Sequence, residues 1–384
     1  MKVLIDGAGL AGLVLAGFLK QGGVDVTIIE QAPHYKHMGY GIALWPLGKR
    51  VLGKLNLLEK LDEVGSPIYN THMMDTKGKH IYKLDFSAIE KMYGKAVGIP
   101  RATLHSMVIN RVGDLHTKFN TKVEKLKQHD NIVTVTFNNG NEENFDLVVG
   151  ADGIRSQIRS EIFTDTDVDY YGISCWIAWA KAPPHVSADT GIFRIFLGNG
   201  SYMCFFPVGN NEFVTYLFTP AAKKYIHEDT EDRLKDIENS FKEFKSFVPE
   251  ILEELKDPEK IMHTSIGKIN LDKWYKNRVI LIGDAEHAIS PLSGMGTSIA
   301  LEDAQVLAEE LLSVTEKEIP LALERFTKRR KPRINQMRRL SNVLIFISSF
   351  KSPILCAVRN FAIRHFVPES FFVTQARQMH DYLI

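Results

Sequence analysis

The sequence predicts an α/β fold in which a parallel-sheet domain is interrupted by a mainly antiparallel sheet, then resumes and is closed by C-terminal helices. Three glycine-bearing segments predict this arrangement. They are Val3-Leu4-Ile5-Asp6-Gly7-Ala8-Gly9-Leu10-Ala11-Gly12, Leu147-Val148-Val149-Gly150-Ala151-Asp152-Gly153, and Arg278-Val279-Ile280-Leu281-Ile282-Gly283-Asp284-Ala285. Between the second and third, Cys175 to Phe218 alternates apolar and polar residues with the period of antiparallel strands.

The first segment carries a mechanism of its own. Val3 to Ile5 is a short apolar strand, and Leu10 to Lys20 has the length and pattern of a helix. Gly7 and Gly9 permit a turn tight enough for backbone amides, including those of Leu10 and Ala11, to approach a pyrophosphate. Gly12 lets the helix pack close to the strand, with the phosphates at its positive end. The next strand, Val26 to Ile29, ends at Glu30, about 20 residues beyond the glycines, where a carboxylate suits an adenosine ribose hydroxyl. The same carboxylate repels a 2′-phosphate, so the site predicts FAD or NAD rather than NADP.

The remaining elements follow in order. Residues 1–70 alternate strand and helix, as a parallel sheet requires. A glycine-broken extended stretch from Gly39 to Pro46 leads to a helix over Leu47–Leu52, and Ile68 to Leu84 reads as a hairpin turning at Lys77-Gly78. Arg101 opens a helix running to Val112. Val123 to Phe137 forms strands about Asp130-Asn131, followed by a turn at Asn138-Asn139-Gly140. Strands are expected at Ile192–Phe196, Tyr202–Phe206 and Phe213–Phe218, then an amphipathic helix over Glu231–Phe247. Helices over Thr297–Leu312 and from Pro320 complete the resumed domain. The expected division is 1–70, 98–165 and 268–337 for nucleotide binding, 71–97 and 166–267 for substrate, and 338–384 for a C-terminal helical segment.

Composition narrows the function. At 384 residues, 45% of them hydrophobic and 24% charged, the chain can bury a large two-domain core. A net charge of +1 gives no bulk electrostatic case for nucleic acid or an anionic membrane. Cys175, Cys204 and Cys356 are scattered without metal-ligand spacing and fit a reducing compartment. The histidines form no HExxH motif, so no metal is expected. Lys2 and the apolar run to Leu19 look like a secretory signal. Asp6 interrupts that run, and Lys20-Gln21 stands where a cleavage site belongs. A cytoplasmic protein is expected.

Taken together, the three segments resemble the single-component, group A FAD monooxygenases, the aromatic hydroxylases of the para-hydroxybenzoate hydroxylase type. The likeness runs from Lys2 to about Arg339. It implies a Rossmann-like FAD-binding domain with an inserted substrate domain. Asp152-Gly153 resembles the family's second motif, associated with FAD and the nicotinamide donor, and Gly283-Asp284 its third, whose aspartate binds the ribityl chain. Pro291 with Gly294-Met295-Gly296-Thr297 resembles the loop beside the isoalloxazine ring, Arg101 the arginine reaching the phosphate and ribityl region, and Glu30 the ribose acid. Met295 and Ser298 depart from a frequent glutamine and asparagine, Gln31 from an arginine, and Leu47 from an asparagine.

The family chemistry implies tightly bound, non-covalent FAD, reduced by NADPH or NADH as a transient co-substrate. There is no second glycine fingerprint to house the nicotinamide. Reduced flavin and O2 then give a C4a-hydroperoxide that hydroxylates a small electron-rich aromatic or polycyclic compound. No acid-base residue is compulsory in such a site. Alternation puts Tyr202, Cys204 and Phe206 on one strand face, which the resemblance directs toward substrate. Arg194 could pair with a substrate anion or simply face solvent. Tyr216, Trp45 and Met295 are further candidates, with His72 and Trp176 behind them.

Other readings stay open. The same fold serves flavin reductases of polyprenyl or alkene bonds, and a low-turnover flavin-bound redox or interaction protein is a third class. A halogenase is disfavoured because Trp176-Ile177-Ala178-Trp179 lacks the WxWxIP pattern. The basic run Lys328-Arg329-Arg330-Lys331-Pro332-Arg333 reads as a solvated helix face, since no aromatics interleave it. The apolar run Val343–Ile347 is too short to span a bilayer. Helices packing on the body are expected there, with a membrane-surface contact or a homodimer interface as the alternatives.

Overall fold

The computed structural model describes all residues except 36–38, 114, 164–166, 182, 184–185, 187–190, 211, 224–232, 256, 258–260 and 382–384. Six strands form the first sheet, in the order Tyr275–Lys276, Val279–Leu281, Leu147–Gly150, Lys2–Asp6, Asp25–Ile29 and His116–Lys118. All neighbours pair in parallel except the first two. Val3, Leu4, Ile5, Val148, Val149 and Ile280 are wholly buried, because helices cover one face and a three-stranded meander the other. That meander comprises Val123–Gln128, Val133–Phe137 and Glu142–Phe145.

The second sheet has seven strands, in the order Met262–Lys268, Asp169–Lys181, Glu212–Pro220, Tyr202–Gly209, Ile192–Leu197, Asn70–Asp75 and His80–Asp85. It is antiparallel except where Ile192–Leu197 pairs in parallel with Asn70–Asp75. That pairing draws the early hairpin onto the edge of a sheet built much later in the chain. One face is backed by helices Arg233–Phe241 and Val248–Glu254, whose Ile237, Phe241 and Ile251 pack on Phe205, Phe213 and Leu217. The other face turns toward the nucleotide domain. A small sheet of Gly41–Leu44, Ala96–Pro100 and Ser66–Ile68 bridges the two.

Two helices differ from expectation. The helix expected from Glu231 to Phe247 runs from Arg233 to Phe241, its first two expected positions lying outside the described residues. The chain then turns through Ser246 at φ 61°, keeping Phe244 and Phe247 buried without helical backbone. The helix expected from Pro320 runs unbroken from Ile319 to Ser348 through Pro332, so the expected boundary at 337 falls inside it. An interior proline costs about 3 kcal/mol. Here the helix is held on both sides of it by the fully buried Arg330, Arg333 and Ile334.

Arg330 explains why that helix cannot let go. Its Nε donates to Asp303 Oδ1 at 2.7 Å and its Nη1 to Glu302 Oε2 at 3.0 Å, all three residues being 0% exposed. The other Asp303 oxygen accepts from Gly283 N at 3.0 Å and lies 2.5 Å from His287 Nε2. Glu286, His287 and Asp303 bring potential ligand atoms within 4.8 Å of one another. Arg330 at Asp303 makes this a buried ion-pair network. Burial works against a charged His287, but Asp303 and Glu286 outweigh it and raise its pKa to about 9. Burial likewise opposes ionised Asp303, yet His287 and Arg330 hold its pKa below the usual value.

Two outcomes follow from the network. Arg330→Met removes the cation shared by two buried carboxylates, leaving Asp303 to Gly283 N and His287, and Glu302 to Arg333. It is expected to cost about 3 kcal/mol, read by urea unfolding of the flavin-free protein. A loss smaller than about 1 kcal/mol refutes Arg330 as the cation on which the network depends. Because folded His287 binds its proton more tightly than the unfolded chain, its stabilisation is complete below the ordinary value of 6.5 and is lost as pH rises through about 9. The melting temperature is expected to fall across that window, and less steeply in His287→Gln.

Candidate functional site

Four parallel strands end side by side, and each delivers one part of the site. Asp6 pairs in register with Gly150 and with Ile29, and Gly150 with Leu281. Gly7, Glu30, Ala151 and Ile282 therefore emerge together at the carboxyl edge of the sheet, where ligands of open α/β sheets bind.

The glycines divide into two kinds. A Cβ on Gly7 would sit 2.4 Å from Ala151 O, and one on Gly12 only 2.1 Å from Gly7 O. These two are demanded by backbone packing, and Gly7 has φ +109° besides. A Cβ on Gly9, Gly153 or Gly296 meets nothing within 4 Å, so these three border open space. Gly9 caps helix Leu10–Gln21 without any side-chain hydrogen bond, and Met295 does the same for helix Gly296–Leu312. Both helix starts, with Leu10, Ala11 and Thr297 in their first turns, thus offer unclaimed amides to an anion.

The acids have distinct environments. Glu30 accepts hydrogen bonds from Ala8 N at 3.1 Å and Ala32 N at 2.9 Å, which fixes its carboxylate beside the glycine turn. Asp152 Oδ2 caps helix Gln157–Ile162, accepting from Gln157 N at 2.7 Å and Ile158 N at 3.2 Å. Its Oδ1 is buried and has no partner among the described residues. Asp284 is open to the crevice but otherwise enclosed by protein. That enclosure raises its pKa, His287 and Arg101 oppose, and Asp303 adds to the rise. Such a carboxylate gains from hydroxyl donors.

Several contributors escaped the sequence reading. Tyr40 lies under the Arg101 guanidinium, 5.5 Å from its ring centre, and its carbonyl accepts from Arg101 N at 2.8 Å. Tyr40 also lies within electrostatic reach of Asp284, so Arg101, Tyr40 and Asp284 form one group. His105 Nε2 is 2.7 Å from Ala8 O; its place four residues after Arg101, on the same helix face, was a usable signal. Asp6 is buried, and burial, then Asp152 and Glu30, raise its pKa well above the usual value. A protonated Asp6 adds no charge beside a pyrophosphate.

Tyr202, Cys204 and Phe206 do share a face, turned to the nucleotide domain, where Tyr216, Trp45 and Leu292 of the Pro291 loop join the same apolar cluster. Aromatic stacking lines it, with Tyr202 on Phe218 at 4.5 Å and Phe206 on Phe193 at 4.8 Å. Tyr216 OH donates to Gly41 O at 2.6 Å, tying this sheet to the bridging strand. Trp45 Nε1 and Tyr202 OH are buried without partners among the described residues. Burial pushes the Cys204 thiol up to about 12 and lifts the Tyr202 and Tyr216 hydroxyls well above their usual range, so the chamber wall is neutral.

Arg194 is not brought to this chamber. It pairs in register with Phe205, on the opposite face, and lies over the Phe247 ring at 5.9 Å. The two-residue period that faces Phe193 and Ile195 inward turns Arg194 toward the backing helices. His72 pairs with Arg194 and shares that orientation, and Trp176 belongs to the same helix-backed cluster. Met295 is buried in the core of the nucleotide domain.

Comparison with known proteins agrees with this geometry. The family model described as "FAD binding domain" matches residues 1–341. The chain belongs to that family, the group A FAD monooxygenases. It is 26% identical over 388 residues to the 2-heptyl-3-hydroxy-4(1H)-quinolone synthase of Pseudomonas aeruginosa, covering 100% of this chain and 97% of that one. It is 28% identical to the aurachin C monooxygenase/isomerase of Stigmatella aurantiaca, covering 95% and 94%. In fold it is similar to Klebsiella pneumoniae HpxO solved with FAD and uric acid, at TM-score 0.88 and 24% identity over 100% and 96% of the two chains. The cofactor of this protein is FAD. The open glycines, uncapped helix starts, anchored Glu30 and half-enclosed Asp284 all fit it.

The two kinds of glycine separate binding from folding. Gly9→Ala is expected to leave the melting temperature of the flavin-free protein unchanged while weakening FAD about tenfold or more, roughly 1.4 kcal/mol. Gly12→Ala is expected to lower both. Titration of flavin-free variants with FAD decides, and undiminished affinity in Gly9→Ala places the pyrophosphate elsewhere.

Proposed function

We propose that this protein is a single-component NAD(P)H-dependent monooxygenase that hydroxylates a small, electron-rich and largely apolar heteroaromatic compound, in the cytoplasm. The observation that carries the reading is the neutral aromatic chamber facing the flavin crevice. In each of its three central strands the positions turned inward are uncharged, from Phe193 to Leu197, Tyr202 to Val208 and Val214 to Phe218. A quinolone-like ring is the kind of ligand such a wall accepts, and the name of the Pseudomonas relative points the same way.

The chain's own residues bind, orient and exclude water. Glu30 holds the adenosine ribose, the amides after Gly9 take the pyrophosphate, and Asp284 with Arg101 steadies the ribityl chain. The loop from Pro291 to Thr297 would border the ring system, where the helix start at Gly296 would favour negative charge. FAD, when bound, supplies the redox chemistry, passing two electrons from NAD(P)H toward O2. The balanced reaction is substrate–H, NAD(P)H, H⁺ and O2 to substrate–OH, NAD(P)⁺ and water. Tyr202, Phe206 and Tyr216 orient the substrate ring and keep water out, which limits loss of the reaction to hydrogen peroxide. With Cys204, Tyr202 and Tyr216 held protonated, the wall offers no strong base, and a ring already rich in electrons is the suitable partner.

The test is oxidation of NADPH and NADH by the FAD-loaded protein with 4-quinolones, hydroxypyridines and phenols, with peroxide and product mass followed together. The expected result is acceleration by a ligand, falling peroxide, and a product heavier by one oxygen. Reduction of a substrate double bond without oxygen gain overturns the proposal in favour of a reductase. Asp284→Ala is expected to weaken FAD about 10- to 100-fold, the loss of a charged hydrogen bond of roughly 1.5–3 kcal/mol. Normal flavin content and turnover in that variant refutes its ribityl role.

A further inference from the structure

The helix Pro353–Phe366 is built inside out. Its exposed positions, among them Ile354 at 75%, Val358 at 58%, Phe361 at 56% and Phe366 at 73%, include no lysine, arginine or acid. Its cations are drawn back onto the protein instead, Arg359 buried and Arg364 half-buried. Arg359 is 5% exposed, donating to Ile347 O at 3.2 Å and Gly198 O at 3.4 Å, and Arg364 donates to His80 O at 2.8 Å. A helix on a water-facing surface carries the reverse pattern. The apolar surface continues onto the end of the preceding helix, where Val343 and Phe346 are 56% and 65% exposed.

The charge beside this face is local and positive. Exposed Arg339 is one turn before Val343 on the same stripe, and exposed Lys351 lies in the connection between the two helices. Arg338 and Arg364 are half-buried and Arg359 is buried, so the exposed cations bordering the face are Arg339 and Lys351. Among the described residues no helix is long and apolar enough to cross a membrane. We propose that this face docks onto an anionic lipid bilayer, lying in the interface rather than spanning it. Apolar side chains enter the boundary between headgroups and acyl chains, and the neighbouring cations meet lipid phosphates. A second copy of the chain fits less well, because a twofold contact brings the same basic border onto itself.

The inner side of these helices gives the docking a use. Ile345, Ile363, Phe372 and Ala376 belong to the apolar cluster that also holds Tyr202, Cys204 and Phe206. One layer of helix therefore separates the lipid-facing surface from the chamber, which suits an apolar compound that partitions into membranes. Docking itself stands apart from the reaction proposed above, and its test uses no turnover.

Full-length FAD-loaded protein is mixed with vesicles of phosphatidylcholine alone, or with about one third phosphatidylglycerol, and sedimented. Binding to the anionic vesicles is expected, at least tenfold above pure phosphatidylcholine and reduced by salt. Val358→Glu with Phe361→Glu is expected to lower that binding at least tenfold with flavin content and melting temperature unchanged. Leu321→Glu, exposed at 46% outside the patch, is expected to leave it intact. Three results overturn the proposal: no sedimentation with either vesicle, equal binding by the double variant, or a wild-type dimer that the double variant converts to monomer.

Discussion

The structure depends on one buried ion pair. Asp303 takes Arg330 on one oxygen, and on the other the Gly283 amide and the His287 ring. It thereby fixes the turn that presents Asp284, the helix that begins at Gly296, and the long helix that runs from Ile319 toward the C-terminal layer. Burying charges is costly unless each is met, and here each of these partners is met by another segment of the chain. Nucleotide site and C-terminal helices are thus held in one register.

A second constraint is the close approach at the N-terminal turn. Gly12 lies against Gly7 O, and Gly7 against Ala151 O, so strand, helix and second motif interlock through backbone alone. Beyond Gly9, Gly153 and Gly296 an added Cβ would meet nothing within 4 Å, so the turns leave room there. Burial then sets the chemistry. The chamber's thiol and hydroxyls stay protonated, Asp6 is driven toward its neutral form, and burial raises Asp284 too, against the opposing pull of His287 and Arg101.

Much of this was legible in the residues. The three glycine segments, Glu30 at the end of its strand, and the shared face of Tyr202, Cys204 and Phe206 rest on local periodicity and turn chemistry, which the fold preserves. Arg194 illustrates the limit. Alternation already separated it from Phe193 and Ile195, but which face meets the nucleotide domain is set by the backing helices. Pro332 illustrates the same limit for backbone: local rules end a helix there, and the buried arginines on either side keep it intact.

The sequence by itself determined the fold class, the cofactor and the family, because these depend on short segments whose geometry is fixed by glycine, strand polarity and helix dipole. Tertiary structure alone decided the grouping of Tyr40, Arg101 and Asp284, the ion-pair network behind the third motif, and the neutrality of the chamber. It also decided that helix Pro353–Phe366 turns Arg359 inward and its apolar side outward. The reason is physical: each of these depends on burial and on partners distant in the chain, quantities that only packing assigns.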